Sequence, residues 1–375
     1  MNGSLQVAKL FGIPVKVHWS FLLVFLWIGY VAYGKSGSLD VFAILAIVFS
    51  LLALFTCVVL HELGHALTAR RYGVSTRNIL LLPIGGLAVL DRLPEEPIQE
   101  FYVAIAGPMV NIGLSVLFAP LLLLLPSQHL WEITAYIVNP QDNIFFYSDI
   151  SFWSYFLVGL VCINFAVAVM NLFPAFPMDG GRVLRALLAV RFSRLRATLI
   201  TTIIAQISAS VLFFYGLQTS NWLISFVCLF IFFSAFNELR AVRSNHRLSK
   251  GTVKEALRTR YTKLYQNDTV ASVVHQLQDG LEKHFLVFDE WQNLKGILLK
   301  NELLQAAKQL DHPEQTSISH YVKQPYISLQ PTDDLKDAVE KMYTCNCWLL
   351  PVMEQQKIIG VLDFAGVNGY LERRK

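Results

Sequence analysis

Charge is what this sequence has least of. Asp, Glu, Lys and Arg supply only 15% of its 375 residues, whereas apolar side chains supply 54%; an ordinary soluble domain carries about a quarter charged residues. With a mean hydropathy of +0.46, a wholly soluble fold is excluded and a membrane protein is expected. Cysteine is also sparse. Cys57, Cys162 and Cys228 sit in apolar runs without a nearby Cys or His, and Cys345-x-Cys347 lacks the second pair of thiolates a structural zinc site needs, so all five read as free thiols. The first apolar run has no small-residue cleavage site behind a short hydrophobic core, which makes an anchor the expectation rather than a leader. The net charge of +4 is small, and nucleic acid is not expected as a partner. Lys and Arg are missing altogether from residues 126–149, which places that loop outside the cell.

Basic residues mark the opposite side. Lys9 and Lys16 precede the first apolar run, which reaches about Tyr33; Arg70, Arg71 and Arg77 follow the second, about Val41 to Ala69; Arg182, Arg185, Arg191, Arg194 and Arg196 follow the run ending near Leu172. Arg240, Arg243, Arg247 and Lys250 close the last pair of runs, about Thr198–Leu217 and Asn221–Phe236. This asymmetry predicts about six spanning helices in a plasma membrane, with both termini cytoplasmic. From about residue 246 the composition turns soluble, giving a membrane domain over 1–245 and a second domain over 246–375.

Inside the second run stands His61-Glu62-Leu63-Gly64-His65. Two histidines four residues apart share one helix face and can reach a single ion, while Glu62 projects beside them where a metal-bound water would sit. The bland alternative is two core histidines and a stray acid, but an ionisable group in an apolar run is costly and functional by default. Counting from His65 to Arg70 at 1.5 Å per residue puts the pair roughly 8–14 Å inside the membrane. Asp179 lies in Asn171-Leu172-Phe173-Pro174-Ala175-Phe176-Pro177-Met178-Asp179-Gly180-Gly181-Arg182, where prolines and glycines are expected to unwind the chain. A carboxylate there needs a partner; a catalytic zinc takes three protein ligands, so His61, His65 and Asp179 are the candidate set, against pairing of Asp179 with Arg182 or Arg185. Residues 76–90, broken by Pro83, Gly85 and Gly86, are too short to span and read as a re-entrant hairpin lining the cavity. Asn111 in the Pro97–Leu125 helix reads either as ordinary helix packing or as a group near the metal. His18 reads as interfacial, with a place near the metal as the lesser alternative.

Residues 250–309 and 316–375 repeat a helix, strand, turn, strand, helix pattern at a period near 60, the sign of an α/β tandem module.

His61 to His65 on an apolar helix, Gly107-Pro108-x-x-Asn111, and Asn171-Leu172-x-Pro174 with Asp179-Gly180 together resemble the site-2 protease family of intramembrane zinc metalloproteases across the first 245 residues. The C-terminal half resembles tandem CBS modules. The first resemblance implies one zinc per chain on His61, His65 and Asp179, Glu62 as catalytic acid and base, and Asn111, Asn171, Gly85 and Gly86 binding or orienting substrate. It implies single-span membrane-protein substrates such as anti-sigma factors or membrane-tethered regulators, cut in regulated intramembrane proteolysis. The second implies a homodimer through the CBS modules and an adenine-nucleotide cleft, yet Leu299, Glu302, Asp363 and Gly366 stand where the nucleotide contacts are expected, so weak or no binding is anticipated. The rival from another class is a CBS-regulated transporter using His61, Glu62 and Asp179 as an ion site.

Overall fold

The computed structural model describes residues 3–24, 26, 41–83, 85–91, 94, 96–138, 151–278, 284–310, 312–324, 326–345, 347–355 and 357–374. It divides into two compact units, Met1–Leu239 and Arg240–Lys375.

The first unit opens with an element the sequence showed only as a short alternating segment. Strands β1 (Ser4–Leu10) and β2 (Ile13–His18) form a hairpin whose turn residues Phe11 and Gly12 both have positive φ, the geometry that matches strand twist. Strand β2 then pairs in parallel with β3 (Thr76–Leu82), which turns back as β4 (Gly85–Leu90), giving one sheet in the order β1-β2-β3-β4. The expected hairpin at 76–90 is therefore half of a four-stranded sheet, and β4 is one of its two edges. His18 caps the short turn after β2, where its Nδ1 accepts from the Ser20 N–H.

Helix α1 (Val41–Arg71) packs on that sheet through Leu63 and Ala66, which meet Ile13, Val15, Ile79 and Leu81. Arg70 and Arg71 in its last turn oppose the negative end of the helix dipole, and Gly73, in the left-handed conformation, lets the chain leave. Helix α2 (Pro97–Phe118) starts with Pro97 in its first turn, where the missing N–H costs nothing. A short helix, α3 (Ser127–Val138), precedes α4 (Phe152–Asn171), which is capped by the Ser151 hydroxyl. Helix α5 (Asp179–Ala189) is short, and α6 (Arg194–Gln218) and α7 (Trp222–Leu248) close the unit around Ala205, Ala209, Cys228, Ile231 and Ala235.

Among the described residues five helices are long and apolar enough to cross a membrane: Ile44–Arg71, Pro97–Leu124, Phe152–Asn171, Arg194–Gln218 and Trp222–Leu248. Their outer faces carry exposed Phe49, Leu52, Val116, Ile207, Phe214, Phe226 and Phe233, which only a hydrocarbon solvent accepts. The chain is a multi-pass membrane protein. The expected first span, to about Tyr33, lies mostly outside the described residues.

In the second unit, helix α8 (Val270–Gln278), strands β6 (His284–Phe288) and β7 (Leu294–Leu299) and helix α9 (Lys300–Gln309) make one half, with β5 (Lys263–Tyr265) added beside β6. Helix α10 (Leu335–Thr344), strands β8 (Leu349–Glu354) and β9 (Lys357–Asp363) and helix α11 (Phe364–Arg373) make the other. Each half has its own apolar core, one around Val273, Phe285 and Leu303, the other around Ala338, Leu350 and Leu362. All five cysteines are free.

Candidate metal centre

The centre is built where α1, α2 and α5 meet. One helical turn separates His61 from His65, so their rings lie 4.8 Å apart between centroids, and both residues are buried. Each ring uses one nitrogen to hold itself in place. His65 Nδ1 lies 2.7 Å from the carbonyl oxygen of Val103, which can only accept, so the proton is on Nδ1. His61 Nδ1 faces Asn111 Oδ1 at 3.1 Å, and the same tautomer follows.

The other nitrogens therefore carry lone pairs, and they point at each other. His61 Nε2 and His65 Nε2 are 3.1 Å apart, and Asp179 Oδ2 is 3.3 Å from the first and 3.1 Å from the second. The three residues offer ligand atoms that all lie within 4.8 Å of one another. Two unprotonated imidazole nitrogens and a carboxylate oxygen converging in a buried site repel one another unless a cation sits among them. Two nitrogens and one oxygen are the donor set of a catalytic zinc with a position left for water, so the residues fit that ion.

Asp179 reaches this point by a route the sequence did not predict. Rather than lying in an unwound stretch, it is the first residue of α5. The prolines and glycines shape the preceding turn instead: a Cβ on Gly180 would run into the carbonyls of Leu172 and Phe173, and one on Gly181 would come within 2.7 Å of the Ala175 backbone. Two glycines thus let α5 start directly against that turn.

The neighbouring helix comes equally close. A Cβ on Gly64 would lie 2.9 Å from the Ala106 carbonyl, and one on Gly107 would lie 2.7 Å from His61 Nε2 and 2.6 Å from His65 Cε1. The space Gly107 leaves is the space between the two imidazoles.

Glu62 reaches the sheet edge, where its Oε2 accepts from the Ala88 N–H at 2.8 Å. Gly86 makes this approach feasible, since a Cβ there would lie 2.7 Å from Glu62 Cγ. Gly85 takes φ +140° with open space around it and forms the turn into β4. Asn171, the last residue of α4, is half-buried, and among the described residues its side chain makes no hydrogen bond to the histidines or Asp179.

The family model of peptidase family M50 matches residues 49–215, and that of the CBS domain matches residues 318–367. A zinc metalloprotease of Methanocaldococcus jannaschii is 30% identical over 367 residues, covering 97% of this chain and 94% of its own. Stage IV sporulation protein FB of Bacillus subtilis is 23% identical over 265 residues, 68% of this chain and 83% of its own. The solved site-2 protease from Methanocaldococcus jannaschii is 32% identical and superposes with a TM-score of 0.42, covering 63% of this chain and 95% of that one. A relative matched at nearly full length over both units makes this chain a metalloprotease of peptidase family M50, the site-2 protease family, with a C-terminal CBS domain.

Proposed function

We propose that the protein hydrolyses a peptide bond within or near the transmembrane segment of a single-span membrane protein, in regulated intramembrane proteolysis, using one zinc on His61, His65 and Asp179. The observation that carries this reading is the convergence of two imidazole nitrogens and a carboxylate oxygen, next to Glu62 in the chain, in an apolar helical unit. A zinc ion there supplies a bound water of lowered pKa and polarises the scissile carbonyl.

The chain's own residues do the rest. Glu62 accepts a proton from the attacking water and passes it to the leaving amide nitrogen, so that one carboxylate serves both steps. Its hydrogen bond from Ala88 holds it at the edge of β4. Alternation along β4 puts the backbone groups of Gly86 on the same free edge as the Ala88 N–H. An unwound substrate segment can add to that edge as a further strand and come to lie beside Glu62. Asn111 orients His61 and fixes its tautomer. The basic residues following α1 and α5 and closing α7 support a cytoplasmic site and a cytoplasmic C-terminal unit. Anti-sigma factors and membrane-tethered regulators are the substrate class we assign, and the CBS modules a route to a homodimer.

Cleavage of a candidate single-span substrate by wild type and by Glu62→Gln tests this reading. The amide keeps the shape but cannot take the proton, so cleavage falls by about a hundredfold or more while zinc stays bound. Cleavage by Glu62→Gln near the wild-type rate refutes the role.

A further inference from the structure

Arg185 is the largest fully buried side chain of the protein's described residues, with no exposed surface. A guanidinium cannot shed its charge, so it survives in an apolar bundle only when its donors are all matched. Here they are. Nε donates to Glu100 Oε1 at 2.8 Å and Nη2 to the same oxygen, while Nη1 donates to Glu238 Oε1. The guanidinium lies over the Phe176 ring, 5.1 Å from its centroid. Glu100 is itself buried, and its second oxygen lies 3.5 Å from Arg194 Nη2. Two acids and two arginines thus tie α2, α5, α6 and α7 together with no net charge.

None of these groups touches the metal centre, but α5 carries both Arg185 and Asp179. Six residues separate them, about 9 Å along the axis and roughly 120° round it. Asp179 is held from one face by the glycine-packed turn, and Arg185 is held from another by Glu100 and Glu238. Two attachments on different faces fix both the rotation and the axial position of a short helix, and a metal ligand needs that position to within about 0.2 Å.

We propose that Arg185 is a positioning residue for Asp179, with Glu100 and Glu238 as the jaws that set the register of α5. This rests on Asp179 being a zinc ligand. Lysine keeps the charge but offers one ammonium in place of a fork, and cannot hold both carboxylates in the same geometry.

The test is zinc affinity of the folded full-length protein, by chelator competition, with the absorption spectrum of the cobalt-substituted protein as a second readout. The variants are Arg185→Lys, Glu238→Gln, Asp179→Ala, and Ile231→Ala, which loosens the α6–α7 core without touching the network. Arg185→Lys and Glu238→Gln should weaken zinc about tenfold or more, the usual size of a supporting-group loss, and shift the cobalt bands, while Ile231→Ala lowers the melting temperature and leaves both readouts alone. Wild-type zinc affinity in Arg185→Lys and Glu238→Gln, or an equal loss in Ile231→Ala, overturns the proposal. Failure of the underlying zinc reading looks different, because then Asp179→Ala also binds zinc as well as wild type.

Discussion

Gly107→Ala should empty the metal centre while leaving the fold standing. Alanine normally improves a helix interior over glycine by about 1 kcal/mol, although Pro108 at the next position makes a Cβ at 107 crowd the proline ring and takes some of that back. The decisive effect lies across the helix interface. The new Cβ would stand 2.6 Å from His65 Cε1 and 2.7 Å from His61 Nε2, and closer still to His65 Nε2. Carbon and nitrogen atoms rest about 3.5 Å apart, so the His61 ring must retreat by nearly 1 Å and the His65 ring by more. Zinc–ligand distances tolerate only about 0.2 Å. Displacing both imidazoles by several times that margin costs more than losing a supporting hydrogen bond, so the affinity should drop at least a hundredfold, about 2.7 kcal/mol. Zinc content of detergent-purified protein, followed by chelator competition, measures it. Gly113→Ala on the same helix is the control: nothing lies within 4 Å of a Cβ there, so zinc should be unchanged. A Gly107→Ala protein with full zinc at wild-type affinity would show that the space between the imidazoles is not where the ion sits.

Gly86→Ala should do the converse, keeping zinc but losing at least tenfold in cleavage, because its Cβ would displace Glu62 and not the histidines; loss of zinc in this variant would contradict the division of labour. The full-length protein should show no rise in melting temperature with ATP, ADP or AMP. Leu299 supplies no hydroxyl at the start of α9, and the Asp363 carboxylate is engaged by the Gly366 N–H at 2.7 Å and by Arg258; stabilisation at micromolar nucleotide would overturn this. In the C-terminal unit, burial pushes the Asp289 carboxyl up, but hydrogen bonds from Asn293 and Lys295 outweigh it and hold the group below the usual carboxylate range. A depressed pKa contributes stability above the unfolded value near 4 and loses it as pH falls through the folded one. Asp289→Asn should therefore be less stable than wild type at pH 7, with the gap narrowing once the pH falls below about 4; a gap that stays constant through the acid range would refute the assignment.

What the sequence revealed tracks how local each signal is. His61 and His65 share a helix face because of a spacing, and spacing is visible in a string; the long apolar helices are visible for the same reason. Asp179 stands 114 residues beyond His65, and only its cost at membrane depth pointed to a partner. That argument named the residue but misjudged its backbone, since the proline and glycine run forms a tight turn against which a helix starts. The parallel pairing of Val15 with Ile79 could not be read at all, because a three-residue register across sixty residues leaves no periodicity. Arg185 read as one of the basic residues following a span or as a partner for Asp179, whereas its contact is with Glu100, 85 positions away. Asn111 was left open between packing and ligand; its side chain is in fact spent on His61 Nδ1.

The pattern of charges gives the site its last constraint. With Nδ1 of each histidine turned to its own hydrogen-bond partner, Asp179 and Glu62 are the centre's acids, and Arg182, three residues along α5, acts electrostatically on Asp179. The network of Arg185, Arg194, Glu100 and Glu238 is already balanced, and among the described residues the donor to Glu62 is a backbone amide. Carboxylates in a low-dielectric bundle are costly, and a divalent ion between the imidazoles favours both. Removing either carboxylate therefore leaves a surplus positive charge on the loaded site, but the two losses are not equivalent. Asp179 supplies a ligand atom as well as charge, so Asp179→Asn should cost zinc affinity far more than Glu62→Gln, which removes charge alone.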